Sequence, residues 1–148
     1  MAGLTESFER FALKTHQWLY ERTDGRVGQN LGKLPTLLLR TKGARTGQTR
    51  VAALVYGGDG DGRYVVVASN GGSDRAPGWL HNIRADSHVE VQVGRARRAA
   101  TAEILTDGTD YDRCWKIVND VNRYHDGGRY DHYQTLTTRR IPLVVLST

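Results

Sequence analysis

The chain has 148 residues, 39% of them hydrophobic, and its 21 Lys and Arg residues against 16 Asp and Glu residues give a formal net charge of +5. A chain of this length can bury about two thirds of the surface that its unfolded form exposes, and its single cysteine, Cys114, excludes an internal disulfide framework and a Cys-based zinc cluster. No run of about 18 apolar residues occurs. We therefore expect one cytoplasmic domain over residues 1–148 with an anionic partner.

The first predicted element is an amphipathic helix over residues 4–22. Leu4, Phe8, Phe11 and Trp18 recur at helical steps. The stripe favours contact with the core. A peripheral contact with a membrane or lipid, or a lid over a substrate, is the alternative interpretation.

From Leu34 onward, short β-branched runs separated by glycine predict a β-rich fold. The connections between most of these runs are too short to house a crossover helix, so neighbouring strands must be antiparallel. We predict an α+β fold in which a six-stranded antiparallel split β-barrel, closed or half-closed, carries flanking helices. The predicted strands cover 36–41, 50–56, 63–69, 88–93, 97–105 and 141–146, and the later helices cover 77–86 and 111–121.

The segment from Lys42 to Arg50 is the strongest local signal. It places three cations, two hydroxyls and two glycines in a tight connection between strands, which is typical of a phosphate site. It is not a P-loop, because only three residues separate Gly43 from Gly47 and no lysine follows the second glycine. The alternative is a solvated basic turn.

A second segment, from Ser69 to Asn82, runs from a strand through small polar residues and glycines into a helix that carries Trp79 near its start. Free backbone donors beside a flat ring could dock a planar heterocycle. The alternative is an ordinary glycine-rich loop with Trp79 packed in the core.

A third segment, from Tyr124 to Tyr133, concentrates tyrosines and histidines among carboxylates. These side chains could donate protons or stack on a ligand. We expect a mobile polar loop over a pocket and no metal site, because His125 and His132 are separated by Gly127 and Gly128. Cys114 lies on an apolar helical stripe, where packing is its expected role.

The ordered set of these segments resembles the deazaflavin-dependent nitroreductase family, actinobacterial oxidoreductases that use coenzyme F420 on a split β-barrel. The resemblance rests on Leu-Leu-Leu-Arg-Thr-Lys-Gly-Ala-Arg-Thr-Gly-Gln-Thr-Arg at 37–50, Ala-Ser-Asn-Gly-Gly at 68–72, Pro-Gly-Trp-Leu-His-Asn at 77–82 and Arg-Ile-Pro-Leu-Val-Val at 140–145.

The resemblance implies that the basic turn holds the phosphate of the cofactor and that the deazaflavin lies along the strand ends and the helix start. It also implies that late tyrosines, here Tyr130 and Tyr133, close over the substrate. The proton that the product needs could come from Tyr130, Tyr133, Ser69 or water, so the expected catalytic residues are Tyr130, Tyr133 and Ser69. Two departures are Ala52-Ala53 in place of Asn-Pro, and Asn70 where some relatives carry a lysine that contacts the cofactor tail. The expected cofactor-binding residues are Lys42, Ala44, Arg45, Thr46, Arg50, Val51, Ala53, Leu54, Val55, Val67, Ala68, Ser69, Asn70, Gly78, Trp79, Leu80 and Asn82.

The function that the resemblance implies is hydride transfer from reduced F420 to an electron-poor small molecule: an activated alkene or enone, a quinone, or a nitroaromatic. The cofactor carries the electron chemistry, which agrees with a sequence that offers neither a nucleophile motif nor a metal cluster. FMN is the alternative cofactor, and a non-catalytic carrier of cofactor or lipid is the alternative class. Nucleic acid is not expected, because the cations are split among three places. The expected oligomeric state is monomer or homodimer.

Overall fold

The structure is a computed structural model that describes residues 30–31 and 34–148. The predicted helix over residues 4–22 lies outside the described residues. In these ranges the chain forms an α+β fold, in which antiparallel strands make one large sheet and three α-helices pack against it.

The strands and helices follow one another along the chain with short connections. The helices are α1 (Gly78–Ala85), α2 (Thr109–Val121) and α3 (Arg129–Thr135). A 3-10 turn at Asn70–Gly72 precedes α1. The strands are β1 (Asn30–Leu31), β2 (Leu34–Lys42), β3 (Thr49–Val55), β4 (Gly57–Gly58), β5 (Arg63–Val67), β6 (His88–Val93), β7 (Ala96–Leu105), β8 (Arg123–Tyr124), β9 (Gly127–Gly128) and β10 (Leu143–Ser147).

The six longer strands are hydrogen-bonded in the order β3-β2-β6-β7-β10-β5, and every pair is antiparallel. The two-residue strand β4 pairs with β5, and only Tyr56 separates it from β3. The chain itself therefore links the two ends of this order, so the sheet curls into a partly closed barrel.

The barrel interior follows from the alternation of side chains along each strand. Leu37 and Leu39 of β2, Val66 of β5 and Val144 of β10 point inward and are fully buried. Helix α1 contributes Leu80 to the same cluster. Because α1 is anchored in the core by its apolar face, its polar face is held at a fixed place beside β2 and the turn that follows it.

The outer face of β5 and β10 forms a second core with α2 and α3. Val65 and Val67 alternate with the inward Val66 and pack against helix residues such as Cys114 and Val118. Cys114 is completely buried, and burial raises the pKa of its thiol. The packing role predicted for this cysteine is confirmed.

The α+β class and the antiparallel arrangement are confirmed, but the predicted count of six strands is not. The large sheet of the described residues contains eight strands, because the two-residue strands β1 and β4 pair with β2 and β5. Neither has enough residues to leave a periodic pattern in the sequence. The single domain over residues 1–148 stays a prediction.

The segment 124–133, predicted to be a mobile loop, is instead the hairpin β8–β9 followed by α3. Asn119 of α2 caps this helix from outside, since its Oδ1 accepts the backbone N–H groups of Tyr130 at 3.0 Å and Asp131 at 3.1 Å. A Cβ atom at Gly128 would overlap the side chain of Asn119. The close approach of Asn119 therefore explains why a glycine occupies position 128.

Candidate functional site

The basic turn between β2 and β3 is closed by its own backbone. The N–H of Gly43 donates to the carbonyl of Gln48, and the N–H of Gly47 donates to the carbonyl of Gly43, both at 2.8 Å. Gly47 adopts φ +72°, a conformation that favours glycine. A Cβ atom at Gly43 would lie 2.9 Å from the carbonyl oxygen of Gln48. The two glycines therefore allow a tight turn, and Arg45 is exposed on it.

Asn82 of α1 ties this turn to the helix. Its Oδ1 accepts the N–H of Ala44 at 3.0 Å, and its Nδ2 donates to Oγ1 of Thr41 at 3.0 Å. Thr41 is buried with 3% exposure, so the second bond lies in a dry environment. One amide side chain therefore fixes the basic turn, the end of β2 and α1 relative to one another.

A cavity of about 750 Å³ lies between the turn, the first half of β3 and α1. This volume falls in the range of small-molecule and cofactor sites. The described residues that line it include no carboxylate. They are Gly43, Ala44, Arg45, Thr46, Arg50, Val51, Ala52, Gly78, Trp79, His81 and Asn82.

The electrostatics of the cavity favour an anion. Arg45 and Arg50 are exposed, and no ion pair or side-chain hydrogen bond joins either guanidinium to another residue within 34–148. Helix α1 begins at Gly78 on the same cavity, and Pro77 before it makes no side-chain cap. The N–H groups at the start of the helix add a positive field to that of the two guanidinium groups. A phosphate is the ligand that matches this arrangement.

The open edge of β3 offers a second kind of contact. The N–H of Tyr56 donates to the carbonyl of Pro35, and the N–H of Gly43 donates to the carbonyl of Gln48. In an antiparallel pair, hydrogen-bonded residues alternate along each strand with residues whose backbone groups point away from the partner. Counted from these two bonds, Val51, Ala53 and Val55 are the residues of β3 whose backbone groups point away from β2. Among the described strands β3 pairs only with β2. These groups can therefore bond to a ligand at the sheet edge.

The structure brings many of the predicted cofactor-binding residues together and separates others. Ala44, Arg45, Thr46, Arg50, Val51, Gly78, Trp79 and Asn82 line the cavity. Ala53 and Val55 reach the open edge only through their backbone. The remaining predicted residues do not line the cavity; they are Lys42, Leu54, Val67, Ala68, Ser69, Asn70 and Leu80.

The reasons for this separation differ. Ala68 and Leu80 are fully buried in the barrel interior, and Val67 belongs to the second core. Lys42 is exposed and lies against the turn, with its Cε 3.7 Å from the place of a Cβ on Gly47. Asn70 donates from Nδ2 to the carbonyl of Arg75 at 3.0 Å, so its side chain is used within its own loop.

The three predicted catalytic residues lie in different surroundings, and none lines the cavity. Tyr130 is 6% exposed, its Oη accepts a bond from Asn122 at 3.3 Å, and burial raises its pKa to about 12. Such a phenol is a poor proton donor near neutral pH, so the structure gives the predicted role of Tyr130 no support. Ser69 is buried as well, with 7% exposure, whereas Tyr133 is partly exposed.

Sequence reasoning missed three lining residues: Gly43, Ala52 and His81. His81 lies three residues after Gly78 on α1 and next to Asn82, so helical periodicity places all three on one face. That signal was present in the sequence. The sequence contains no comparable signal for Ala52, because its neighbours on both sides are equally apolar.

The late aromatic residues pack against one another. The ring of Tyr124 lies 4.6 Å from that of His132 and 4.3 Å from that of His125, and the guanidinium of Arg129 lies 4.5 Å from the Tyr124 centroid. Within the described ranges, no group of three or more His, Cys, Asp and Glu residues could hold a metal ion. Nor does any helix there combine the length and the apolar character needed to cross a membrane.

The fold and the cavity together define an α+β protein with a curled antiparallel sheet and a cationic cavity of the size of a cofactor site. Residues 12–148 match the family model described as F420H(2)-dependent quinone reductase. The chain belongs to this family, which confirms the resemblance to deazaflavin-dependent reductases.

Individual relatives agree with this assignment. A Mycobacterium tuberculosis protein named F420H(2)-dependent quinone reductase is 45% identical over 137 residues, which cover 91% of this chain and 89% of the relative. A solved structure named F420-H2 dependent reductase (FDR-A) is 33% identical, with a TM-score of 0.66, and the match covers 76% of this chain and 94% of that one. A second structure, described as a domain-swapped dimer, is 31% identical with a TM-score of 0.67 and covers 88% and 97%.

Proposed function

We propose that this chain is an F420-dependent reductase that binds the phosphate of F420 at Arg45 and Arg50 and passes a hydride to an electron-poor small molecule. The observation that supports this binding site is a pair of arginines whose side chains have no partner among the described residues. Both line a cavity that also contains the N-terminus of α1. Family membership supports the choice of cofactor.

The residues present fit the cofactor on grounds of shape and charge. The cavity volume of about 750 Å³ suits a ligand of this class, and the missing Cβ at Gly43 lets the turn close tightly beside it. F420 contains a planar ring and a phosphate, and the cavity has apolar and aromatic lining next to cationic lining. Reduced F420 supplies the hydride when bound.

The chain's own residues bind, orient and exclude water. Arg45, Arg50 and the first N–H groups of α1 hold the anionic end. Trp79 gives the cavity an apolar wall that keeps water from the reacting face. The open backbone groups of β3 orient a ring that presents complementary donors and acceptors. Tyr133 is the least buried of the three predicted catalytic residues, and its contact with the acceptor stays a prediction.

The proposed acceptor is a quinone, with an enone or a nitroaromatic as the other electron-poor classes. Oxidation of reduced F420 under anaerobic conditions, followed by absorbance, should be fast with menadione and slower with the other two. Tight binding of F420 without turnover of any acceptor would identify a carrier. Titration with FMN beside F420 tests the alternative cofactor, and light scattering tests the predicted monomer or homodimer.

The binding site is tested by Arg45→Ala and Arg50→Ala. Each change removes a charge-assisted contact with phosphate, worth about 1.5–3 kcal/mol, so the Kd for F420 from fluorescence titration should rise roughly tenfold or more. Arg98→Ala is the matched control, because Arg98 is an exposed cation on β7 that does not line the cavity. If the Kd is the same in both site variants as in the wild type, the phosphate does not bind at this turn.

A further inference from the structure

Arg139, in the connection between α3 and β10, is bonded to four backbone carbonyl oxygens of one loop. Its Nε donates to Ser73 at 2.8 Å, and its Nη2 donates to Ser69 at 2.9 Å and to Ala68 at 3.1 Å, with a longer contact to Arg75 at 3.5 Å. All four acceptors belong to the connection between β5 and α1. Burial lowers the pKa of Arg139, but a guanidinium that keeps its charge is well solvated by such carbonyl dipoles.

The backbone of this loop is left-handed at three consecutive residues. Asn70, Gly71 and Gly72 have φ values of +46°, +66° and +84°, a region that glycine and asparagine adopt more readily than other residues. Two backbone bonds close the turn from within, one from Gly72 to Ser69 and one from Ser73 to Asn70. The bonds from Arg139 come from a distant part of the chain and hold the loop from outside.

The segment around Arg139 holds the loop at other points as well. Thr137 donates from Oγ1 to Oδ1 of Asp74 at 2.7 Å. A Cβ on Gly72 would lie 2.9 Å from the carbonyl oxygen of Tyr133 and 3.0 Å from the side chain of Leu136. The loop is therefore fitted closely against the end of α3 and the residues that follow it.

The loop leads directly into α1, whose residues Gly78 and Trp79 line the cavity and whose Asn82 holds the basic turn. We propose that Arg139 is a positioning residue for F420: by fixing this loop, it holds the start of α1 at the distance from the basic turn that the cofactor requires. This inference rests on the proposed function. Arg139 does not line the cavity, so its effect on the cofactor passes through the loop and α1.

The test compares cofactor binding by the full chain with Arg139→Ala and with Arg139→Lys. We expect Arg139→Ala to raise the Kd for F420 roughly tenfold. We expect Arg139→Lys to raise it less, because an ammonium group keeps the charge but cannot reach all the carbonyls in one plane. In steady-state kinetics, the KM for reduced F420 should rise while the KM for menadione stays the same. Millimolar guanidinium ion should lower the Kd of Arg139→Ala again.

Asp59→Asn is the control for lost stability, since Asp59 pairs with Arg113 at 2.6 Å and lies in a turn that does not line the cavity. The inference is overturned if Arg139→Ala and Arg139→Lys both bind F420 as the wild type does. It is also overturned if Asp59→Asn raises the Kd by the same factor. A wild type that does not bind F420 would overturn the proposed function together with this inference, so the two failures are distinguishable.

Discussion

Replacing Asn82 with leucine tests how α1 holds the basic turn. The change removes both hydrogen bonds of the Asn82 side chain, to Ala44 and to Thr41. Ala44 is exposed, so its N–H bonds to water instead, but Thr41 is only 3% exposed and its hydroxyl oxygen loses the donor from Asn82. An unsatisfied buried group costs about 1–3 kcal/mol. Because water replaces only the bond to Ala44, we expect the free energy of unfolding to fall by about 1–2 kcal/mol.

Thermal unfolding followed by circular dichroism measures this loss. For a chain of this size, the expected drop in Tm is roughly 3–6 °C. The Kd for F420 should rise between about threefold and tenfold, because the turn that carries Arg45 is no longer held in the geometry that binding requires. The two effects have one cause and should appear together.

Asn82→Asp separates the two effects. An aspartate oxygen still accepts the N–H of Ala44, and the hydroxyl of Thr41 can donate to the other oxygen, so the Tm should stay within a few degrees of the wild type, as expected for a change well below about 1 kcal/mol. The new negative charge lies on the cavity that holds Arg45 and Arg50 and competes with the phosphate, so the Kd should rise. An unchanged Tm and an unchanged Kd in Asn82→Leu would refute the argument that this side chain fixes the turn.

Two further predictions concern stability away from the cavity. Gly128→Ala should lower the free energy of unfolding, measured by chemical denaturation, by about 1–3 kcal/mol, because its Cβ overlaps Asn119, which is held as the cap of α3. Gly127→Ala is the control, because a Cβ at Gly127 meets no atom within 4 Å. An equal loss of stability in both variants would contradict the steric explanation. Asp59→Asn should cost about 1 kcal/mol at pH 7. Because Arg113 holds the pKa of Asp59 below its ordinary value of 3.8, this stabilisation is present above about pH 4 and is lost as the pH falls through the lowered pKa. Denaturation curves of variant and wild type should therefore converge in acid, and a gap that stays constant to pH 2 would assign the effect to packing.

The parts of the site that depend on neighbouring residues could be predicted from the sequence. The basic turn follows from glycines and cations within one short segment, and the start of α1 follows from Pro77 and the apolar spacing after it. Both predictions concern conformations that a few consecutive residues decide. The structure places both segments on the cavity, although several of the individual residues predicted on them do not line it.

The parts that depend on distant residues could not be predicted. Nothing in the sequence near Gly128 reveals that Asn119 occupies the space of its missing Cβ. Arg139 stands beside Arg140 as one of two adjacent cations, yet the guanidinium of Arg139 holds a loop while that of Arg140 lies 4.5 Å over the ring of Tyr111. Hydropathy does not distinguish such neighbours, because the difference lies in what the fold brings to each of them.

The shape around the cations, more than their number, decides what anion this chain can bind. Arg40 and Arg113 have acidic partners at 3.9 Å and 2.6 Å, so their charges are already compensated. Arg98 is exposed on a strand, where salt and water screen its charge. Arg45 and Arg50 share a concave surface with a helix N-terminus and with no carboxylate among the described lining residues. Their fields add inside the cavity, so a compact phosphate is favoured there over an extended nucleic-acid backbone, which would need cations along a continuous surface.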